Sequence, residues 1–106
     1  MEMNDLKILY DVMVETDPDH IPFRAVNTRK LPIVERKQMF ALLARDFGAT
    51  LTKIACFLNT THPNVSCSTK RMRGYLDVYP AMKRRYREVR DEFEYRTMGP
   101  PLWVAD

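Results

Sequence analysis

The chain has 106 residues, 45% of them hydrophobic, and a formal net charge of +3, which suffices for one core and leaves too little length for two domains. No apolar run approaches a membrane span and Met1 to Asp5 lacks a signal-peptide pattern, so the expectation is a cytoplasmic protein without a membrane partner. Cys56 and Cys67 stand without CxxC spacing, His20 and His62 lie in unrelated segments, and neither a phosphate-cradling glycine loop nor a nucleophile set occurs, which argues against metal sites, cofactors, small-molecule substrates and enzymatic chemistry.

The net charge conceals an asymmetry. Through His20, six acidic residues stand against Lys7 alone, a net −5, whereas from Arg24 to Arg90 fifteen Lys and Arg stand against Glu35, Asp46, Asp77 and Glu88, a net +11. An excess of that size suits a polyanion, bound with release of counterions. The plainer interpretation is a set of solvated helix faces.

In chain order, Leu6, Ile8, Leu9, Val12 and Met13 predict an amphipathic helix over Asn4 to Thr16, with Asn4 or Asp5 as its N-cap and Asp17-Pro18-Asp19 as its end. His20 to Pro32 has two prolines and no period, and is expected to be a loop anchored by Ile21, Phe23 and Val26. Its cluster Asn27-Thr28-Arg29-Lys30 places two cations where a basic arm reaches phosphates or a minor groove. Ile33 to Phe47 carries a broad stripe of Val34, Met39, Phe40, Leu42, Leu43 and Phe47 and is predicted as the central packing helix. Pro32 suits its first turn, Glu35 its positive end and Gly48 its left-handed cap.

Leu51, Ile54, Ala55 and Leu58 then predict a short helix, followed by a polar turn through Asn59, Thr60 and Thr61 and a second helix from His62 to Tyr79. Thr60 or Thr61 can accept from the first free N–H groups, and Pro63 stands where a missing N–H costs nothing. Val65, Ser68 or Thr69, Met72 and Leu76 fall inward, leaving Asn64, Ser66, Cys67, Lys70, Arg71 and Arg73 outside. Short polar groups at the start and cations further along are what a major-groove reader needs; a helical hairpin with a basic face is the alternative. A last helix is expected over Pro80 to Arg96, packing through Met82, Tyr86, Val89 and Phe93. Lys83, Arg84, Arg85 and Arg87 crowd its start, against the helix dipole, which a phosphate partner there would justify and simple drift would equally explain. Residues 1–97 are expected to form one domain and 98–106 a tail with Leu102 and Trp103.

The stretch Arg36 to Met72, with Gln38-Met39, Leu43-Ala44-Arg45-Asp46, Thr50-Leu51-x-x-Ile54 and His62-Pro63-Asn64-Val65, resembles the C-terminal DNA-binding domain of the bacterial replication initiator DnaA. The resemblance implies an all-α fold of about five helices containing a Trp-repressor-like helix-turn-helix. It implies sequence-specific double-stranded DNA binding in replication initiation or its regulation. His62, Val65 and Arg71 fit the family pattern, whereas Thr60 and Thr61 stand in for its Arg-Asp and Pro63 and Asn64 for its Thr-Thr. Thr60, Thr61, His62, Pro63 and Asn64 are then the candidate base contacts, and Arg29, Lys30, Lys37, Arg45, Lys70 and Arg71 the candidate phosphate or minor-groove contacts. A protein-interaction module on the same scaffold, with a protein partner at the acidic first helix or the tail, or a small transcription regulator, is the second expectation.

Overall fold

A computed structural model describes residues 1–24 and 30–98. The anchor expected at Val26 and the tail residues Leu102 and Trp103 lie outside the described residues. Among those described, the chain is all-α, with five helices and no strand: α1 (Met3–Thr16), α2 (Leu31–Asp46), α3 (Leu51–Leu58), α4 (His62–Val78) and α5 (Pro80–Met98).

Helix α1 buries Leu6, Leu9, Val12 and Met13 at the spacing of one face and leaves Ile8 half-buried. It begins one residue before the predicted start, and neither Asn4 nor Asp5 is its N-cap. Glu2 holds that position, and the Asp5 carboxylate, three residues on, accepts from the Glu2 N–H at 3.0 Å, which satisfies a donor the helix leaves unpaired. At the other end the carbonyls are closed from outside the helix. His20, in the left-handed region at φ 49°, brings Nδ1 to 3.0 Å from the Val14 carbonyl. Arg85 of α5 donates to the Thr16 and Met13 carbonyls at 3.3 and 2.8 Å and to the Thr16 hydroxyl at 2.8 Å.

That contact revises the expectation for the start of α5. Arg85 is turned into the fold rather than toward a phosphate, where its positive charge meets the negative end of α1. Burial pushes its pKa down, with Glu88 and Asp17 opposing the shift. Lys83, Arg84 and Arg87 remain exposed.

Helix α2 is central and contacts the other four helices. Its seven residues from Gln38 to Ala44 are buried on every side, while Val34 and Phe47 at the ends of the predicted stripe are half-buried. It starts at Leu31, two residues early, so Glu35 falls beyond the first turn and that turn holds no acid. Gly48 takes φ 97°, its N–H meets the Arg45 carbonyl at 3.0 Å and the Ala49 N–H meets the Ala44 carbonyl at 2.9 Å. This is the paired closure of a Schellman motif, which needs a residue at ease with positive φ.

Beneath α2 lies an aromatic cluster: Phe40 stacks on Phe57 at 5.1 Å between centroids, Phe23 meets Phe40 edge-on at 5.9 Å, and Tyr10 meets Phe23 at 4.8 Å. The loop anchor Phe23 is buried as expected. Phe57 was absent from the predicted α3 stripe. Arg24 explains part of its burial: the guanidinium lies 3.7 Å over the Phe57 ring and Nε donates to the Phe57 carbonyl at 3.1 Å.

Two acidic residues knit the helices together. Asp17, buried, accepts from Arg36 Nε and Nη2 at 2.7 and 2.9 Å and from the Asp19 and Ile21 N–H groups at 3.2 and 3.1 Å. The hydrogen bonds from Arg36 hold its carboxyl well below the usual range, against the opposing effect of burial. Asp46, at the end of α2, accepts from Arg73 of α4 at 2.7 Å and from the Tyr86 hydroxyl of α5 at 2.5 Å. Burial first, then the Asp46 contact, push the Tyr86 phenol up to about 12.

Candidate nucleic-acid interface

The turn between α3 and α4 is set by Asn59. Its φ of 54° and ψ of 53° place it in the left-handed region, which asparagine tolerates better than most residues carrying a Cβ. The Thr60 N–H then reaches the Ala55 carbonyl at 2.9 Å and the Asn59 N–H the Cys56 carbonyl at 3.2 Å, so α3 ends by the same closure as α2. Thr61, two residues on, is the N-cap of α4 and accepts from the Asn64 N–H at 3.4 Å, with Pro63 in the first turn. Thr60 is not the cap; its hydroxyl accepts from the Asn64 side-chain amide at 3.0 Å.

The start of α4 therefore displays a chemically varied edge. Thr61, His62, Pro63 and Asn64 are exposed and Thr60 is half-buried. With one side-chain N–H on Thr60, Asn64 keeps a second N–H and its carbonyl for another partner. Seventeen residues of α4 align their peptide dipoles behind this edge, which favours negative charge in front of it.

Beside that edge a groove of about 300 Å³ runs between α2, the turn and α4, lined by Lys37, Gln38, Thr60, Asn64, Ser68 and Arg71 among others. It brings together Lys37, Thr60, Asn64 and Arg71 of the sequence-predicted site residues. Lys70 is exposed on α4 and does not line the groove. Arg45 stands in the last turn of α2, eight residues beyond Lys37, or about 12 Å along the axis, and donates to the Ala49 carbonyl at 3.0 Å. Lys30 is the N-cap of α2. Arg29, the expected minor-groove residue, lies outside the described residues. Gln38, Cys67 and Ser68 line the groove without having been nominated; the i, i+3, i+4, i+7 spacing of Asn64, Cys67, Ser68 and Arg71 was the signal for the last two.

The basic excess is thinned by pairing inside the fold. Arg36 is held by Asp17, Arg73 by Asp46, and Arg85 by the end of α1, while Lys53 lies 3.4 Å from Glu2 and Arg96 2.6 Å from Glu15. Lys70 and Arg71 are exposed on α4 and carry no ion pair among the described residues. A second cavity, about 230 Å³, is floored by Met13, Met39 and Met82, but the guanidiniums of Arg36 and Arg85 at its rim are already occupied. Cys56 and Cys67 are exposed free thiols. Among the described residues, no group of three or more His, Cys, Asp or Glu is placed to hold a metal ion, and no helix is long and apolar enough to cross a membrane. No protein-family model matches the chain, and neither a curated protein nor a solved structure does.

Proposed function

We propose that the chain binds double-stranded DNA sequence-specifically, with α3 and α4 as a helix-turn-helix and α4 as the helix that enters the major groove. The observation that carries this reading is the exposed start of α4, Thr61-His62-Pro63-Asn64, backed along the same helix by the unpaired cations Lys70 and Arg71. Polar groups there meet base edges, and cations further along hold the backbone that fixes register. Lys37 adds a cation from the groove wall. The resemblance of residues 36–72 to the DnaA DNA-binding domain supports a role in replication initiation or its regulation.

Asn64 is the base reader in this scheme. Its contact with Thr60 holds the amide in place, and the remaining N–H and carbonyl match the N7 acceptor and N6 donor of adenine. The Pro63 ring offers only an apolar surface, suited to a thymine methyl. With Thr60 and Thr61 in place of an Arg-Asp pair, the preferred site differs from the usual initiator box. Selection of bound sequences from a random duplex pool is expected to return an A·T pair opposite Asn64. Asn64→Ala then costs about 1–3 kcal/mol on the selected site and little on random duplex. Equal losses on both, or tight binding to the usual initiator box, would refute the assignment.

The protein-interaction alternative would use a first helix whose acids are partly paired. Asp17 is buried against Arg36, whereas Glu15 and Glu2 stay exposed in surface pairs with Arg96 and Lys53. The tail lies outside the described residues.

A further inference from the structure

The fold does not require glycine at position 74. Gly74 lies inside α4, exposed, with an ordinary helical backbone, and a Cβ built there meets nothing within 4 Å. Gly48 differs, since its φ of 97° is one that side chains rarely adopt. Glycine is the poorest helix former after proline, so the folded chain gains nothing from it at position 74. What a missing side chain does permit is the close approach of another molecule to the helix backbone.

The neighbours say which molecule. Lys70 and Arg71, four and three residues earlier, flank Gly74 on the same side of the helix. Both are exposed and carry no ion pair among the described residues, whereas Arg73 is turned away to Asp46. Two open cations on either side of a bare stretch of backbone make a seat for an anion. Asp77, exposed one turn further on, limits the seat, because a carboxylate repels phosphate.

We infer that Gly74 is where α4 crosses the DNA sugar–phosphate backbone, with one phosphate held between Lys70 and Arg71 against the helix. The inference rests on the DNA-binding reading above and adds a contact to it. The dimensions agree: Asn64 to Gly74 is ten residues, or about 15 Å of helix, and the major groove is about 12 Å wide. A helix with its first turn on the base edges therefore leaves the groove over the phosphate wall close to Gly74. A methyl at this position lifts the helix from the phosphate and lengthens both cation contacts.

The test compares the full chain with Gly74→Ala and Gly74→Leu for thermal unfolding and for binding to a short random-sequence duplex over a range of salt. Gly74→Ala is expected to raise Tm by about 4–8 °C. It is also expected to weaken duplex binding about tenfold and to lower the salt slope by about 1, with a larger loss for Gly74→Leu. A raised Tm with unchanged affinity would overturn the phosphate seat and leave the DNA reading standing. A lowered Tm would show that the fold itself needs this glycine, and would overturn the seat as well. An original chain that binds no duplex at low salt removes the reading and the seat together. If the variants instead dissociate a dimer seen without DNA, Gly74 belongs to a contact between copies and the phosphate assignment is wrong.

Discussion

Phe40→Ala is expected to lower the unfolding free energy by about 3–5 kcal/mol. The side chain is fully buried in the middle of α2, stacked on Phe57 of α3 and edge-on to Phe23, which in turn meets Tyr10 of α1. Truncation removes the apolar transfer term and leaves a cavity walled by the Phe23 and Phe57 rings, both braced by Tyr10, which cannot readily move inward together. In a domain whose whole stability is about 5–15 kcal/mol, this loss is a fifth or more. Urea unfolding of the two proteins measures it. A loss under about 1 kcal/mol would mean that the aromatic cluster does not anchor α2 as described.

Asp17→Asn is expected to cost about 3 kcal/mol near neutral pH. The carboxylate accepts from both nitrogens of the Arg36 fork and from two backbone N–H groups. An amide presents N–H to one of those donors and leaves the guanidinium with only the exposed Asp19 carboxylate, 3.9 Å away, as counter-charge. The pH dependence distinguishes this from a packing effect. Because the folded pKa of Asp17 is depressed, its contribution is fully present above the ordinary carboxylate range. It is lost as pH falls from that range toward the lowered value. The gap between wild type and Asp17→Asn should therefore hold constant from neutrality and shrink steadily only between about pH 5 and about pH 2. A constant gap over that span would contradict the ion-pair account.

How much of this was legible in the sequence differs by kind of contact. Local periodicity located the five helices, because Leu6, Leu9, Val12 and Met13, or Val65 and Met72, record in their spacing which side faces inward. Gly48 and Pro63 marked their positions through backbone constraints that act within a residue or two. The pairs that organise charge were not legible. Arg36 and Asp17 are 19 residues apart, Arg73 and Asp46 27, and Arg85 and Thr16 69. Nothing in an arginine's immediate neighbours says whether its partner is a carboxylate, a helix end or an external phosphate. Arg85 was therefore grouped with Lys83, Arg84 and Arg87 on a common basic surface. The groove beside α4 was read in part: Asn64 and Arg71 stood out as polar residues on a reader helix, whereas Gln38 sits in the central apolar stretch of α2 and gains its role only when α4 packs beside it.

The exposed start of α4 and its cations are proposed to bind duplex DNA. The direct measurement is the affinity of the full chain for a random-sequence duplex from low to physiological salt. With Lys37 and Arg45 each holding one phosphate and Lys70 and Arg71 sharing one, the proposed contacts number about three, and log K should fall against log salt with a slope of about −2.7. That amounts to about a fortyfold loss for a fourfold rise in salt. Affinity that stays constant over this range, or no binding at low salt, would contradict the account.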